Sequence, residues 1–136
     1  MATAIFAQSI KTSGLQLTPA HTTALQTLFT AGANGSRIDN IFVSSTDSSA
    51  KDLQFVLTIS SVDYIIGMLP IPANSGNSNS LPIVNVLGHA QFAALNSDLN
   101  GNKYLFIPAG AILKVKAGST ITTAKVINVI AQCGDY

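Results

Sequence analysis

The stretch ALQTLFTAGANGSRIDNIFVSS, residues 24–45, decides the predicted fold of this chain. Two runs of strand-forming residues flank Asn34-Gly35, and Asn-Gly readily adopts the positive φ angles of a type I′ turn, so the stretch predicts a β-hairpin. Its second arm would place Arg37, Asp39, Ile41 and Val43 on one face and Ile38, Asn40 and Phe42 on the other. Because both faces carry apolar residues, we interpret the hairpin as having one side in the core and one against a neighbour.

The composition favours an all-β protein that associates with other molecules. Only 10% of the 136 residues are charged, against about 25% in an average domain, and the chain has no Glu, no Trp and a single Arg. Good helix formers are therefore scarce, whereas β-branched and aromatic residues are plentiful. With 47% hydrophobic residues and a net charge of +1, little repulsion keeps copies apart. The same low charge predicts no binding to nucleic acid or to a membrane surface.

Turn signals divide the rest of the chain into short segments. Residues 53–60 alternate most regularly between apolar and polar side chains, so residues 51–69 predict a second antiparallel pair. The helix candidate is the short run VLGHAQFAAL, residues 86–95. Three later strands and one polar surface loop complete the prediction: strands at 104–107, 111–117 and 122–132, and a loop at 70–82.

Length and strand count together bound the architecture. A chain of 136 residues fits a single domain, 1–136, in which residues 1–15 form either a first strand or an arm laid on a neighbour. About eight short strands separated by turns predict an antiparallel β-sandwich, with a jelly roll as the favoured topology and at most one short helix.

The residues that could carry chemistry form no recognisable motif. His21 and His89 are the two imidazoles, and neither lies in a hydrolytic motif. Residues 98–102, DLNGN, contain oxygen ligands suited to calcium, but the glycine stands at position four and no Glu follows, so they predict a turn. Cys133 is single, which excludes an intrachain disulfide. We therefore predict no enzyme activity, no cofactor and no metal.

Five segments carry a resemblance to a known family. They are LFTAGANGSRIDNIFVSSTD (28–47), LQFVLTISSVDYIIGMLPIPA (53–73), NVLG (85–88), YLFIPAGAILKVKAG (104–118) and the terminal GDY (134–136). Together they resemble the capsid decoration, or cement, proteins of tailed bacteriophages. Members of that family are jelly-roll proteins that bridge neighbouring subunits on the outside of the shell. The resemblance implies a structural protein on the outer surface of the virion, assembled in the bacterial cytoplasm, with the major capsid protein as its partner.

The predicted contact residues follow from the exposed apolar patterns and from this implied role. They are Ile5, Phe6, Ile41, Val43, Val56, Tyr64 and Asn77. A homodimer suits a bridge at a two-fold axis and is favoured over a trimer. The alternative function is a carbohydrate-binding or host-surface attachment module of the virion, because aromatic residues displayed on a jelly roll can stack on sugars.

Overall fold

The computed structural model describes residues 9–136, which form nine β-strands in two antiparallel sheets. The strands are β1 (Ser9–Leu17), β2 (Gln26–Thr30), β3 (Ser36–Ser45), β4 (Lys51–Ile59), β5 (Val62–Ile71), β6 (Val84–Asn85), β7 (Leu105–Ile107), β8 (Ile112–Ala117) and β9 (Ile127–Asp135). The helical elements of this part of the chain are two single-turn 3₁₀ segments, Pro19–His21 and Ala90–Phe92. Ile5 and Phe6, predicted as contact residues, lie outside the described residues.

The strand order is that of a jelly roll. Sheet I has the order β1-β9-β3, and β6 and β7 each pair with a different part of β3. Sheet II has the order β2-β8-β4-β5. When β6 and β7 are counted as one interrupted strand, each sheet has four strands and the chain passes repeatedly between the sheets, as in two Greek keys. The predicted all-β antiparallel sandwich is therefore confirmed.

The predicted hairpin at residues 24–45 is wrong, because its two arms belong to different sheets. β2 pairs with β8, whereas β3 lies between β9 and the β6–β7 pair and has no edge left for β2. The turn centres on Ala33 and Asn34, and the Gly35 N–H donates to the Gly32 carbonyl at 3.1 Å. Gly35 follows this turn with a φ of 89°. A type I′ hairpin turn needs two successive positive φ angles at its centre, and neither Ala33 nor Asn34 has one. This turn therefore is not a hairpin turn, and it carries the chain from sheet II to sheet I.

A β-bulge at Asp39 explains why β3 has apolar residues on both predicted faces. The register against β9 shifts between Ile38 and Asn40, so Asp39 is an extra residue on β3. The bulge reverses the alternation, and Ile38, Ile41 and Val43 all lie in the core with at most 1% exposure. The prediction that Ile41 and Val43 contact a neighbour is therefore wrong. Ile41 and Val43 have no surface to offer a partner.

The second predicted strand pair is confirmed and supplies the centre of the core. β4 and β5 pair antiparallel over the whole length of β4. Leu53 and Phe55 on β4 are fully buried. The Phe55 ring meets the Phe92 ring edge to face, with centroids 5.8 Å apart. Opposite Phe55, Gly67 on β5 leaves room for Phe92, because a Cβ at Gly67 would lie 2.7 Å from that ring.

The predicted helix at residues 86–95 is wrong, since the run forms a single 3₁₀ turn, Ala90–Phe92. Val86 and Leu87 are buried, and the Val86 N–H donates to the Ile41 carbonyl of β3 at 2.9 Å. The start of the run is therefore hydrogen-bonded to sheet I and does not begin a helix. Tertiary contacts of this kind override weak helical periodicity.

A buried carboxylate, Asp47, joins the β3–β4 loop to the β8–β9 loop. It accepts hydrogen bonds from the N–H of Thr122 at 2.9 Å and from the Thr122 hydroxyl at 2.8 Å. It also accepts from the N–H and the hydroxyl of Ser49, both at 3.0 Å. Burial alone would raise the pKa of Asp47, but these hydrogen bonds outweigh it and hold the pKa well below the ordinary 3.8. The folded protein therefore keeps this carboxylate ionised at neutral pH.

Candidate interaction surface

The outer face of sheet II carries an apolar patch bordered by lysines. Val56 on β4 lies opposite Lys114 on β8 and opposite Ile65 on β5. Directly opposed residues of antiparallel strands point to the same face, so these three side chains are neighbours. Met68 and Lys116 both lie opposite Gln54 and extend the same surface along the strands. We refer to Val56, Ile65, Met68, Lys114 and Lys116 as the sheet II patch.

A bulge in β5 creates this patch. The register against β4 shifts between Phe55 and Val56, where Ile66 is the extra residue on β5. Ile65 therefore faces outward, although strict alternation from Leu69 would turn it inward. Ile65 is 68% exposed and Met68 is 40% exposed, whereas Val56 beneath them is only 2% exposed. Val56 does not belong to the core cluster between the sheets, and Ile65 and Lys114 are its cross-strand neighbours on the outer face.

The charged residues around the patch balance one another. Lys114 Nζ lies 3.8 Å from Asp63 Oδ1, and the Thr58 hydroxyl donates to the same oxygen at 2.5 Å. Lys116 forms no salt bridge within residues 9–136. Asp52 is exposed on the same face of β4, beside Met68, so two lysines stand against two carboxylates around the apolar side chains. A partner with an apolar centre and balanced charges around it would be complementary to this surface.

The patch reaches the free edge of sheet II. In the described part of the chain, β5 pairs with β4 and has no strand on its other side. Tyr64 and Val62 lie at this edge and are each 51% exposed. Natural sheets usually protect a long edge strand with charged side chains, prolines or bulges. The β5 edge has one of each, namely Asp63, Pro70 and the bulge at Ile66, and its first half still exposes Val62, Tyr64 and Ile65.

The predicted contact residues are thus divided between surface and interior. Tyr64 lies at the exposed β5 edge, and Asn77 is exposed in the loop between β5 and β6. Val56 lies on the predicted sheet face but beneath its surface. Ile65 and Met68, the most accessible apolar residues of the patch, were missed. Alternation from the buried Leu69 turns Met68 outward, whereas Ile65 faces outward only because of the bulge at Ile66.

The two imidazoles hold local turns. His21 Nδ1 accepts from the Thr18 N–H at 3.1 Å, and His89 Nδ1 accepts from the Gln91 N–H at 3.2 Å. Cys133 is buried on β9, and burial raises the pKa of its thiol. Residues 98–102 form the predicted turn.

The described residues contain no metal-binding cluster and no helix that could span a membrane, and the sequence matches no known family. Within residues 9–136, no three His, Cys, Asp or Glu side chains are grouped so that they could hold a metal ion. Neither of the short helical segments in this range is long and apolar enough to cross a membrane. No protein-family model matches the sequence, and no curated protein matches it either.

Proposed function

We propose that this protein is a capsid decoration protein, which binds the outside of a tailed-bacteriophage shell through the sheet II patch and cements neighbouring major capsid subunits. The observation that carries the proposal is the pair of exposed apolar side chains, Ile65 and Met68, on a sheet face beside the free β5 edge. The resemblance of the sequence to decoration proteins supplies the partner. The role requires no catalysis and no cofactor.

The energetics of the patch suit a lattice of repeated weak contacts. Full burial of one Ile or Met side chain contributes about 1.5–3 kcal/mol, so one patch provides only modest affinity. A net charge of +1 adds little long-range attraction. Binding to an assembled shell, but not to free subunits, stabilises the shell by mass action. Contacts that bridge two subunits also gain from high effective concentration.

The β5 edge supports self-association as a second part of the proposal. Two copies related by a two-fold axis can pair their β5 strands antiparallel and extend sheet II across both molecules, which makes a homodimer the favoured state over a trimer. Because this pairing lies in the plane of the sheet, it leaves the outward-facing Ile65 and Met68 available to the shell.

The test is to mix the purified protein with empty shells of the same phage, in unexpanded and expanded forms, and to sediment the shells. We expect saturable binding to one form and a higher temperature of shell disruption. Failure to bind either form, with no gain in heat resistance, would refute the proposed function.

A further inference from the structure

A polar cleft of about 670 Å³ opens on the outer face of sheet I. It lies where β6 and β7 leave a gap along one side of β3, whose other side is paired with β9. β7 pairs with Ser36–Ile38 and β6 pairs with Phe42–Val43, so the bulge at Asp39 falls in the gap between them. Bulges recur next to functional sites, because they turn side chains out of the regular alternation.

Two parts of the chain form the cleft. β3 contributes Arg37, Asp39 and Asn40, and the connection that includes β6 and leads to β7 contributes mainly Asn85, Asp98, Asn102 and Lys103. The lining therefore contains two basic residues, two acidic residues and three carboxamides. Its formal charge is zero, which disfavours an ionic ligand, and its polarity disfavours an apolar one.

Arg37 is held in place but keeps unused donors. Its Nε donates to Asp39 Oδ1 at 2.7 Å, and its guanidinium lies 4.3 Å from the centre of the Tyr104 ring. Its two Nη groups have no hydrogen-bond partner within residues 9–136, and the same holds for Asp39 Oδ2. A fixed guanidinium and a neighbouring carboxylate oxygen present a donor and an acceptor side by side.

Within residues 9–136, Asn85 and Asn102 provide a free hydrogen-bond donor and a free acceptor on the other wall of the cleft. Asn85 Oδ1 accepts from the Gly88 N–H at 3.1 Å, which leaves its Nδ2 without a partner in the described chain. Asn102 Nδ2 donates to Asp98 Oδ2 at 3.3 Å, which leaves the Asn102 Oδ1 as an acceptor. A hydroxyl group both donates and accepts, so a ligand with several adjacent hydroxyls can satisfy both walls.

An exposed aromatic ring lies on the same sheet face, outside the residues that line the cleft. Phe106 on β7 lies directly opposite Arg37 on β3, so both side chains are on the outer face of sheet I. The Phe106 ring is 50% exposed and packs on Tyr136, with centroids 5.8 Å apart. This ring lies over Gly35 and Tyr136 and is not a wall of the cleft. We propose that this cleft binds a neutral saccharide, with the hydroxyls held by the polar walls.

This inference is independent of the proposed cementing function. The cleft lies on sheet I and the patch lies on sheet II, so the two sites occupy opposite outer faces of the sandwich. A protein bound to a shell through sheet II would display the cleft to the surroundings.

The test is an NMR titration of the full chain, labelled with ¹⁵N, with maltose, lactose and N,N′-diacetylchitobiose, and with glucuronate as an anionic comparison. We expect at least one neutral disaccharide to shift the side-chain signals of Asn85, Asn102 and Arg37 in a saturable way, and glucuronate to bind more weakly. The proposal is overturned if none of the disaccharides shifts these signals, if the shifts lie elsewhere, or if glucuronate binds as tightly.

An isosteric variant tests the geometry of the cleft. Asn85→Asp keeps the oxygen that accepts from Gly88 but removes the Nδ2 donor, so we expect about tenfold weaker saccharide binding. Asn79→Asp makes the same change of charge in the exposed loop between β5 and β6 and is expected to leave binding unchanged. Equal affinity of the Asn85→Asp variant and the natural protein, with the rest of the spectrum preserved, would contradict the proposed site.

Discussion

Replacing Ile65 by Asp tests whether the sheet II patch holds the shell. Ile65 is 68% exposed in the free protein, so about two-thirds of its side-chain area remains to be buried on binding. Full burial of an Ile contributes about 1.5–3 kcal/mol, which gives about 1–2 kcal/mol for this fraction. Placing a carboxylate against an apolar partner surface adds a further penalty of about 1–3 kcal/mol. The dissociation constant for the shell should therefore rise at least tenfold.

The measurement is a binding isotherm by co-sedimentation with shells, for the natural protein and for two variants. Leu99→Asp is the matched control, because Leu99 is fully exposed in the connection between β6 and β7 on the other sheet. Both variants should keep the thermal midpoint of the isolated protein within a few degrees, since neither side chain is in the core. Unchanged affinity of a folded Ile65→Asp variant would refute the role of the patch. Equal weakening by Leu99→Asp would show a general effect of added negative charge.

Three further predictions concern the fold that supports these surfaces. Asp47→Asn should lower the free energy of unfolding by about 2 kcal/mol at neutral pH, because it weakens the hydrogen bonds to the two loops, as measured by urea denaturation. Since the pKa of Asp47 is lowered on folding, its contribution is complete above about pH 4 and disappears as the pH falls, so the natural protein should lose stability in acid more steeply than the variant. Gly67→Ala should cost about 1–3 kcal/mol, because the buried Phe92 ring cannot move away from the new methyl group, and a normal urea midpoint would contradict this packing. The Cys133 thiol should react with a thiol reagent only as fast as the protein opens, and rapid labelling of the native protein would show that β1 does not cover it.

The sequence allowed the sandwich to be predicted because its signals are local. Alternation from Leu53 to Ile59 reports which residues face the core, and the β4–β5 pair follows from a short turn. The jelly-roll pairing of β3 with β9 joins residues such as Asn40 and Gln132, which are 92 positions apart. The residues of a turn do not indicate partners so far away in the chain. Asn34-Gly35 therefore predicted that β2 and β3 pair with each other, although each pairs with a later strand in a different sheet.

Both candidate sites depend on bulges, which local periodicity cannot locate. Without the extra residue Asp39, Ile41 and Val43 fall on the outer face of β3, and this error placed them among the predicted contact residues. Without the extra residue Ile66, Ile65 falls on the inner face of β5, and its place in the patch is missed. Each bulge requires a tertiary partner strand to define it, so neither can be derived from one strand alone.

The most direct test of the proposed function is a reconstruction of shells decorated with this protein by electron cryo-microscopy. We expect the jelly roll to lie across the boundary between major capsid subunits, with sheet II and Ile65 against the shell and the cleft of sheet I facing outward. Density with sheet I against the shell, or shells that carry no additional density at saturating protein concentration, would contradict the account.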